Sequence, residues 1–234
     1  LQQLAHEGRP PAPTVVERQY RDLLRERELR ANLQRLRDLD VPFEYHAVDV
    51  RDSHAWGRWL QEIQGRLGPF SGVVHGAGVI EDRWIRDKTS ESFDRVFDTK
   101  VASARVLVEH LDPRSLKFLA FFGSLAGRFG NAGQADYAAA NEVLRTLARQ
   151  LGQTWPCRVV TMAWGPWSGV GMVAELESHL RRRGMRLIGP DEGPSLLIDE
   201  LLYGPRRDAE VMLGGGSQET FGGAIAPSVA VNPP

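Results

Sequence analysis

The chain has 234 residues, 42% hydrophobic and 25% charged, which suits one α/β domain with a sizeable core and excludes a disordered or fibrous chain. A net charge of −1 gives no reason to expect nucleic acid or an anionic membrane as partner. The single cysteine, Cys157, excludes an internal disulfide or a thiolate metal cluster, so no metal site is expected and a reducing, cytoplasmic compartment is. No apolar run approaches the roughly 18 residues that span a bilayer, and no signal peptide is visible.

In chain order, residues 1–14 are broken by proline and read as irregular. Val15–Leu39 is helical in pattern, its arginines interleaved with Glu and Asp as on a solvated face rather than an anion-binding one. Phe43–Val50 (FEYHAVDV) reads as a strand, Ser53–Leu67 as a helix burying Trp56, Leu60, Ile63 and Leu67, and Gly72–Val74 as a strand running into His75-Gly76-Ala77-Gly78. A helix over 90–111 is followed by a strand at Lys117–Phe122, a helix over 133–152 and a strand at Arg158–Trp164. An irregular helical segment at 172–184 carries exposed arginines, and the last elements are a helix at Asp191–Leu202 and a strand at Glu210–Leu213. Alternating strands and helices argue a parallel sheet covered on both faces. The organisation expected is a helical segment over 1–42, a core over 43–215 and a linker or tail over 216–234.

The most informative stretch is Gly123–Asn141, GSLAGRFGNAGQADYAAAN. It places Ser124 at the carboxyl end of a strand, where open α/β sheets bind ligands. Tyr137 and Asn141, four apart on the next helix, share a face. Singly, Ser124 reads as a helix cap and Tyr137 as a packed aromatic. Together with Lys100, in FDTKVASA on the preceding helix, they form a constellation.

Ser124, Tyr137 thirteen residues later, Asn141 four beyond it and Lys100 on the earlier helix resemble the active site of short-chain dehydrogenase/reductases. The form is that of ketoreductase domains of polyketide and polyunsaturated-fatty-acid (enediyne-type) synthases, in which Lys and Asn exchange places relative to the wider superfamily. The resemblance spans about residues 28–215 and implies a Rossmann-like doubly wound parallel sheet. It implies Tyr137 as proton donor and Ser124 as hydrogen-bond donor to the substrate carbonyl. Lys100 would hold the nicotinamide ribose and lower the phenol's pKa through its charge, and Asn141 would orient Lys100 or a water. HGAG (His75, Gly76, Ala77, Gly78) resembles the turn under the cofactor's adenosine half, and Asp49 with Val50 the strand end that contacts adenine. WGPW, with Gly165, Pro166 and Trp167, resembles the loop beside the nicotinamide. Asp82, in Ile80-Glu81-Asp82, matches the marker of one stereochemical class, and Phe129 stands where the opposite class carries Trp. The product implied is a (3R)-3-hydroxyacyl thioester, the partner an acyl carrier protein within a multidomain synthase, and the cofactor NADPH.

A dinucleotide fold opens with a strand, a G-x-G-x-x-G turn and a helix, because backbone N–H groups must approach the pyrophosphate closely. No such turn precedes Phe43. The expectation is therefore an N-terminally truncated domain lacking its first two strands and its phosphate loop, poorly able to hold a dinucleotide alone. Its remaining strands Phe43–Val50 and Gly72–Val74 would pair directly or leave exposed edges. The alternatives are a non-catalytic structural fragment of a megasynthase, or a free-standing reductase of small carbonyls.

Overall fold

The computed structural model describes residues 13–169, 177–182 and 184–214. The expected tail at 216–234, residues 1–12 and part of the 172–184 segment lie outside the described residues. The chain divides into two units, Leu1–Ala47 and Val48–Pro234. The first holds helix α1 (Pro13–Asp38), whose charges pair along one turn: Arg30 with Glu26, Arg21 with Glu17, and Arg25 with Asp22. Tyr20, Leu23 and Leu24 are exposed on it.

The second unit runs α2 (Ser53–Leu67), β1 (Gly72–His75), α3 (Ser90–His110), β2 (Phe118–Ser124), α4 (Leu125–Phe129) and α5 (Ala135–Thr154). It continues with β3 (Arg158–Trp164), α6 (Glu177–Arg182), α7 (Glu192–Tyr203) and β4 (Glu210–Leu213). The four strands form one parallel sheet in the order β1-β2-β3-β4, with His75 opposite Phe121 and Ser124 opposite Trp164. All four therefore end on one edge, which is where the doubly wound fold places ligands.

Period-two alternation on β2 builds the two halves of the core. Leu119 and Phe121 face one side, against Leu60 of α2, Ala104 and Leu107 of α3, and Leu144 and Ala148 of α5. Ala120 and Phe122 face the other, with Val160, Met162 and Trp164 of β3 and Leu196, Leu197 and Leu201 of α7. Every residue of β3 is buried, as a central strand covered on both faces requires. The caps are those the sequence supplies: Asp52 accepts from Ala55 N at the start of α2, and Thr89 from Ser92 N at the start of α3.

Two expectations need correction. Phe43–Val50 is not a strand; 41–49 carries no regular structure and Val50–Arg51 forms a turn. Alternating apolar residues are not enough, because a strand exists only through a ladder and no described strand pairs with this segment. Among the described residues the direct pairing with Gly72–Val74 is correspondingly absent, and β1 pairs with β2 alone, with Val74 44% exposed. Leu67 is the other correction: it is the last residue of α2 and is exposed.

Candidate active site

The end of β2 delivers Ser124 as its last residue and as the N-cap of α4, its Oγ accepting from Ala126 N at 3.1 Å. The cap reading thus holds for this hydroxyl, which also lies near enough to the Tyr137 phenol to favour its ionised form. Gly127 of α4 lies against Asn141 so closely that a Cβ there would stand 2.8 Å from the asparagine's own, which brings α4 down onto α5. Tyr137 and Asn141, one turn apart on α5, are both buried. Asn141 Nδ2 donates to the Tyr137 carbonyl at 2.7 Å, while its Oδ1 is buried without a partner.

Lys100 reaches the same place from α3. Its Nζ lies 5.5 Å from the centroid of the Tyr137 ring and donates to the Phe122 carbonyl at 2.8 Å. Only 2% of Lys100 is exposed and no carboxylate among the described residues forms a salt bridge with it; burial pulls its pKa down to about 8. The glycine at 78 makes room for it, since a Cβ there would stand 3.0 Å from Lys100 Cε and 3.2 Å from Nζ. His75, at the end of β1, is held neutral: burial, then the nearby Lys100 charge, lowers its pKa to about 4. Ser103 Oγ spends its proton on the Thr99 carbonyl at 2.6 Å, so His75 Nε2 is the donor in the 2.7 Å contact between them. His75 Nδ1 is left without a partner.

The phenol departs from expectation. Burial raises the Tyr137 pKa, and the Asp82 carboxylate acts in the same direction; hydrogen bonds from Ser124 and Asn141 oppose them. The Lys100 charge does not make this phenol acidic here, because a buried group pays desolvation first and the ammonium sits over the ring face rather than beside the oxygen.

The other residues singled out by sequence divide. Asp82 is brought to the start of α5: buried Gln134 donates to its Oδ1 and Oδ2 at 3.0 and 3.1 Å, and Arg83 N donates to the Gly133 carbonyl at 3.0 Å. Phe129 is half-buried at the end of α4. Gly76 and Ala77 lie in the loop after β1, while Gly165, Pro166 and Trp167 follow β3 on the same edge. Trp167 is engaged in packing, edge-on to Trp164 at 5.0 Å and flat enough on Gly193 that a Cβ there would strike its ring. Asp49 is not drawn into the cluster; Arg51 grips its carboxylate at 2.8 and 3.1 Å and holds its pKa down at about 2, beside half-buried Val50. Sequence reasoning passed over Gln134 and a buried ion pair, Lys88 Nζ to Asp136 Oδ2 at 2.6 Å. The signal available was position, since Asp136 immediately precedes Tyr137.

A parallel sheet with Ser, Tyr, Asn and Lys gathered beyond its strand ends defines a Rossmann-like reductase. The family model of the KR domain matches residues 16–169, and the chain belongs to this ketoreductase domain family. It is 33% identical over 211 residues to a polyunsaturated fatty acid synthase polypeptide of Thraustochytrium sp., covering 90% of the chain and 7% of that protein. To a 6-methylsalicylic acid synthase of Arthrobotrys oligospora it is 38% identical over 169 residues, covering 69% of the chain and 9% of that protein. The chain thus spans less than a tenth of these relatives. Among solved structures, a ketoreductase domain from the bacillaene assembly line matches with a TM-score of 0.70 at 31% identity, over 82% of this chain and 47% of that one. An N-terminal ketoreductase from the macrolactin assembly line matches in fold with a TM-score of 0.71 at 23% identity, over 94% and 40% of the two chains.

Among the described residues no helix is long and apolar enough to cross a membrane, and no group of His, Cys, Asp or Glu could hold a metal ion.

Proposed function

We propose that the chain is the catalytic part of a ketoreductase domain that reduces a 3-ketoacyl chain, tethered to an acyl carrier protein in a cytoplasmic multidomain synthase, to the (3R)-3-hydroxyacyl thioester. The observation that supports the reading is the gathering of Ser124, Tyr137, Asn141 and Lys100 in one buried cluster at the strand ends, with the Lys100 ammonium 5.5 Å from the centre of the Tyr137 ring. A ketone oxygen that gains charge needs a donor with a proton to give, and a phenol whose pKa lies above its usual value holds that proton at neutral pH. Ser124 supplies a second hydrogen bond to the same oxygen. Asp82, fixed by Gln134 beside the phenol, orients the substrate and so selects the (3R) product.

No side chain donates hydride; a nicotinamide, taken here as NADPH, supplies it when bound. The residues present fit the reactive end of that group. The Lys100 ammonium carries three donors and spends one on Phe122 O, and the buried Asn141 Oδ1 and His75 Nδ1 await partners. Ribose hydroxyls and a relay water suit them. No G-x-G-x-x-G stretch stands in the 234 residues, so the pyrophosphate end has no such cradle here. That favours, as a second reading, a piece that does not turn over by itself, and an NADPH titration of the 234-residue chain separates the two.

The site is tested by Tyr137→Phe in the full-length polypeptide. Carbonyl reduction falls by about 10²–10⁴ with KM little changed. Unchanged reduction removes Tyr137 as donor.

A further inference from the structure

Lys88 and Asp136 form an ion pair whose side chains are 3% and 1% exposed, outside the Ser–Tyr–Lys–Asn cluster but touching both neighbours of the chemistry. Lys88 Nζ donates to Asp136 Oδ2 at 2.6 Å and to the Glu81 carbonyl at 2.9 Å. Asp136 Oδ1 accepts from the Tyr137 amide at 2.8 Å. One ammonium therefore links the residue before Asp82 to the residue before Tyr137. Two further contacts run parallel to it: Gln134 to the Asp82 carboxylate, and Arg83 N to the Gly133 carbonyl. From the other side Glu81 is fixed by Arg95, at 2.6 and 2.9 Å, and by Ser92 Oγ at 2.8 Å.

Stability does not account for such a pair. Two charges taken out of water gain little over well-packed apolar side chains of the same volume, and often less. What a buried, directional pair supplies is a unique geometry. Its neutral replacement leaves the loop able to shift against the helix.

We infer that Lys88 and Asp136 are positioning residues: they fix the loop carrying Asp82 against the first turn of α5, and so hold Asp82 and the Tyr137 phenol in the relation that decides which face of the ketone is turned to the hydride. The catalytic half of this inference rests on the ketoreductase reading above. The mechanical half, a staple between loop and helix, does not.

The test uses the double substitution Lys88→Met/Asp136→Leu in the full-length polypeptide, which removes both charges together, with two readouts. Amide hydrogen exchange at Arg83 reports the staple without turnover. Product configuration, kcat and KM with an N-acetylcysteamine 3-ketoacyl thioester report positioning. We expect Arg83 to exchange about ten-fold faster while β3 amides are unchanged. We also expect kcat to fall by about 10- to 100-fold with KM within about three-fold, and the minor enantiomer to increase. Unchanged exchange at Arg83 overturns the staple. A loosened Arg83 with wild-type kcat and enantiomer ratio overturns positioning. Failure of Tyr137→Phe to slow the wild-type reaction overturns the ketoreductase reading instead, and leaves the exchange result standing. Should the double variant not fold, Asp136→Asn, which keeps an acceptor for the Tyr137 amide, is read by the same two measurements.

Discussion

Two lysines on neighbouring elements both have buried side chains and are used in opposite ways. Lys88, at the foot of the loop before α3, is matched by Asp136 and by a backbone carbonyl. Lys100, three turns along α3, donates to the Phe122 carbonyl, and no carboxylate among the described residues forms a salt bridge with it. Burial consequently drags the pKa of Lys100 to about 8. A buried charge matched by an opposite one holds structure in place; one left without a countercharge carries an energetic cost that a bound anion, hydroxyl or phenolate can relieve. On the reading proposed above, one small region thus separates a lysine that locates the loop from a lysine that serves the reacting cluster.

The sharpest way to break this contrast is to neutralise each lysine and compare signs. Lys88→Met leaves Asp136 charged, buried and unmatched, which costs about 3–5 kcal/mol. By thermal melting that is a fall in Tm of roughly 10 °C for a domain of this size. A loss below about 1 kcal/mol removes the distinction between the two sites. Lys100→Met goes the other way. Because the folded pKa lies below the unfolded one, the native state binds fewer protons than the unfolded chain between about pH 8 and pH 10.5, and wild-type stability rises with pH across that window. Below it the full penalty of the buried charge is present. The variant, free of that penalty, is the more stable at pH 7 by up to about 3 kcal/mol, less about 1 for the donor that Phe122 O loses. Its advantage shrinks as pH rises from 8 towards 10.5, while carbonyl reduction is lost. Melts of the cofactor-free protein across this range decide it, and a variant less stable than wild type at pH 7 contradicts the assignment.

How far the sequence alone could reach is seen in these same residues. The strands at 72–75, 118–124, 158–164 and 210–213 were readable because each is a short apolar run between helical patterns, and a parallel sheet covered by helices follows from such alternation. Ser124, Tyr137, Asn141 and Lys100 were readable as a set, since spacing along α5 and position at the end of β2 are local properties. Phe43–Val50 was misread for the complementary reason: whether an alternating segment becomes a strand depends on a neighbour its own residues do not specify. Lys88 and Asp136 were invisible for a related reason, being 48 positions apart and unremarkable until the loop folds back on α5. Nor could spacing give the sign of the Tyr137 shift, because desolvation is a property of the packed site.

Gly78 offers the finest adjustment of the contrast, because it touches one lysine and not the other. The missing side chain is what lets Lys100 lie where it does: an added methyl would stand 3.0 Å from Cε and 3.2 Å from Nζ, tighter than ordinary contact. The backbone at Gly78 does not have a positive φ, so alanine meets no strain there and its effect is steric alone. The lysine end is flexible and yields by a few tenths of an ångström, at a cost near the lower end of the roughly 1–3 kcal/mol typical of overpacking. The consequence for chemistry is larger than that for folding, since Lys100 moves relative to Phe122 O and the Tyr137 ring. Gly78→Ala should therefore slow carbonyl reduction by about ten-fold while Tm falls by only a few degrees, with Arg83 amide exchange at its wild-type rate. Equal losses in activity and in loop protection would mean that the two lysines act as one network rather than as separate devices.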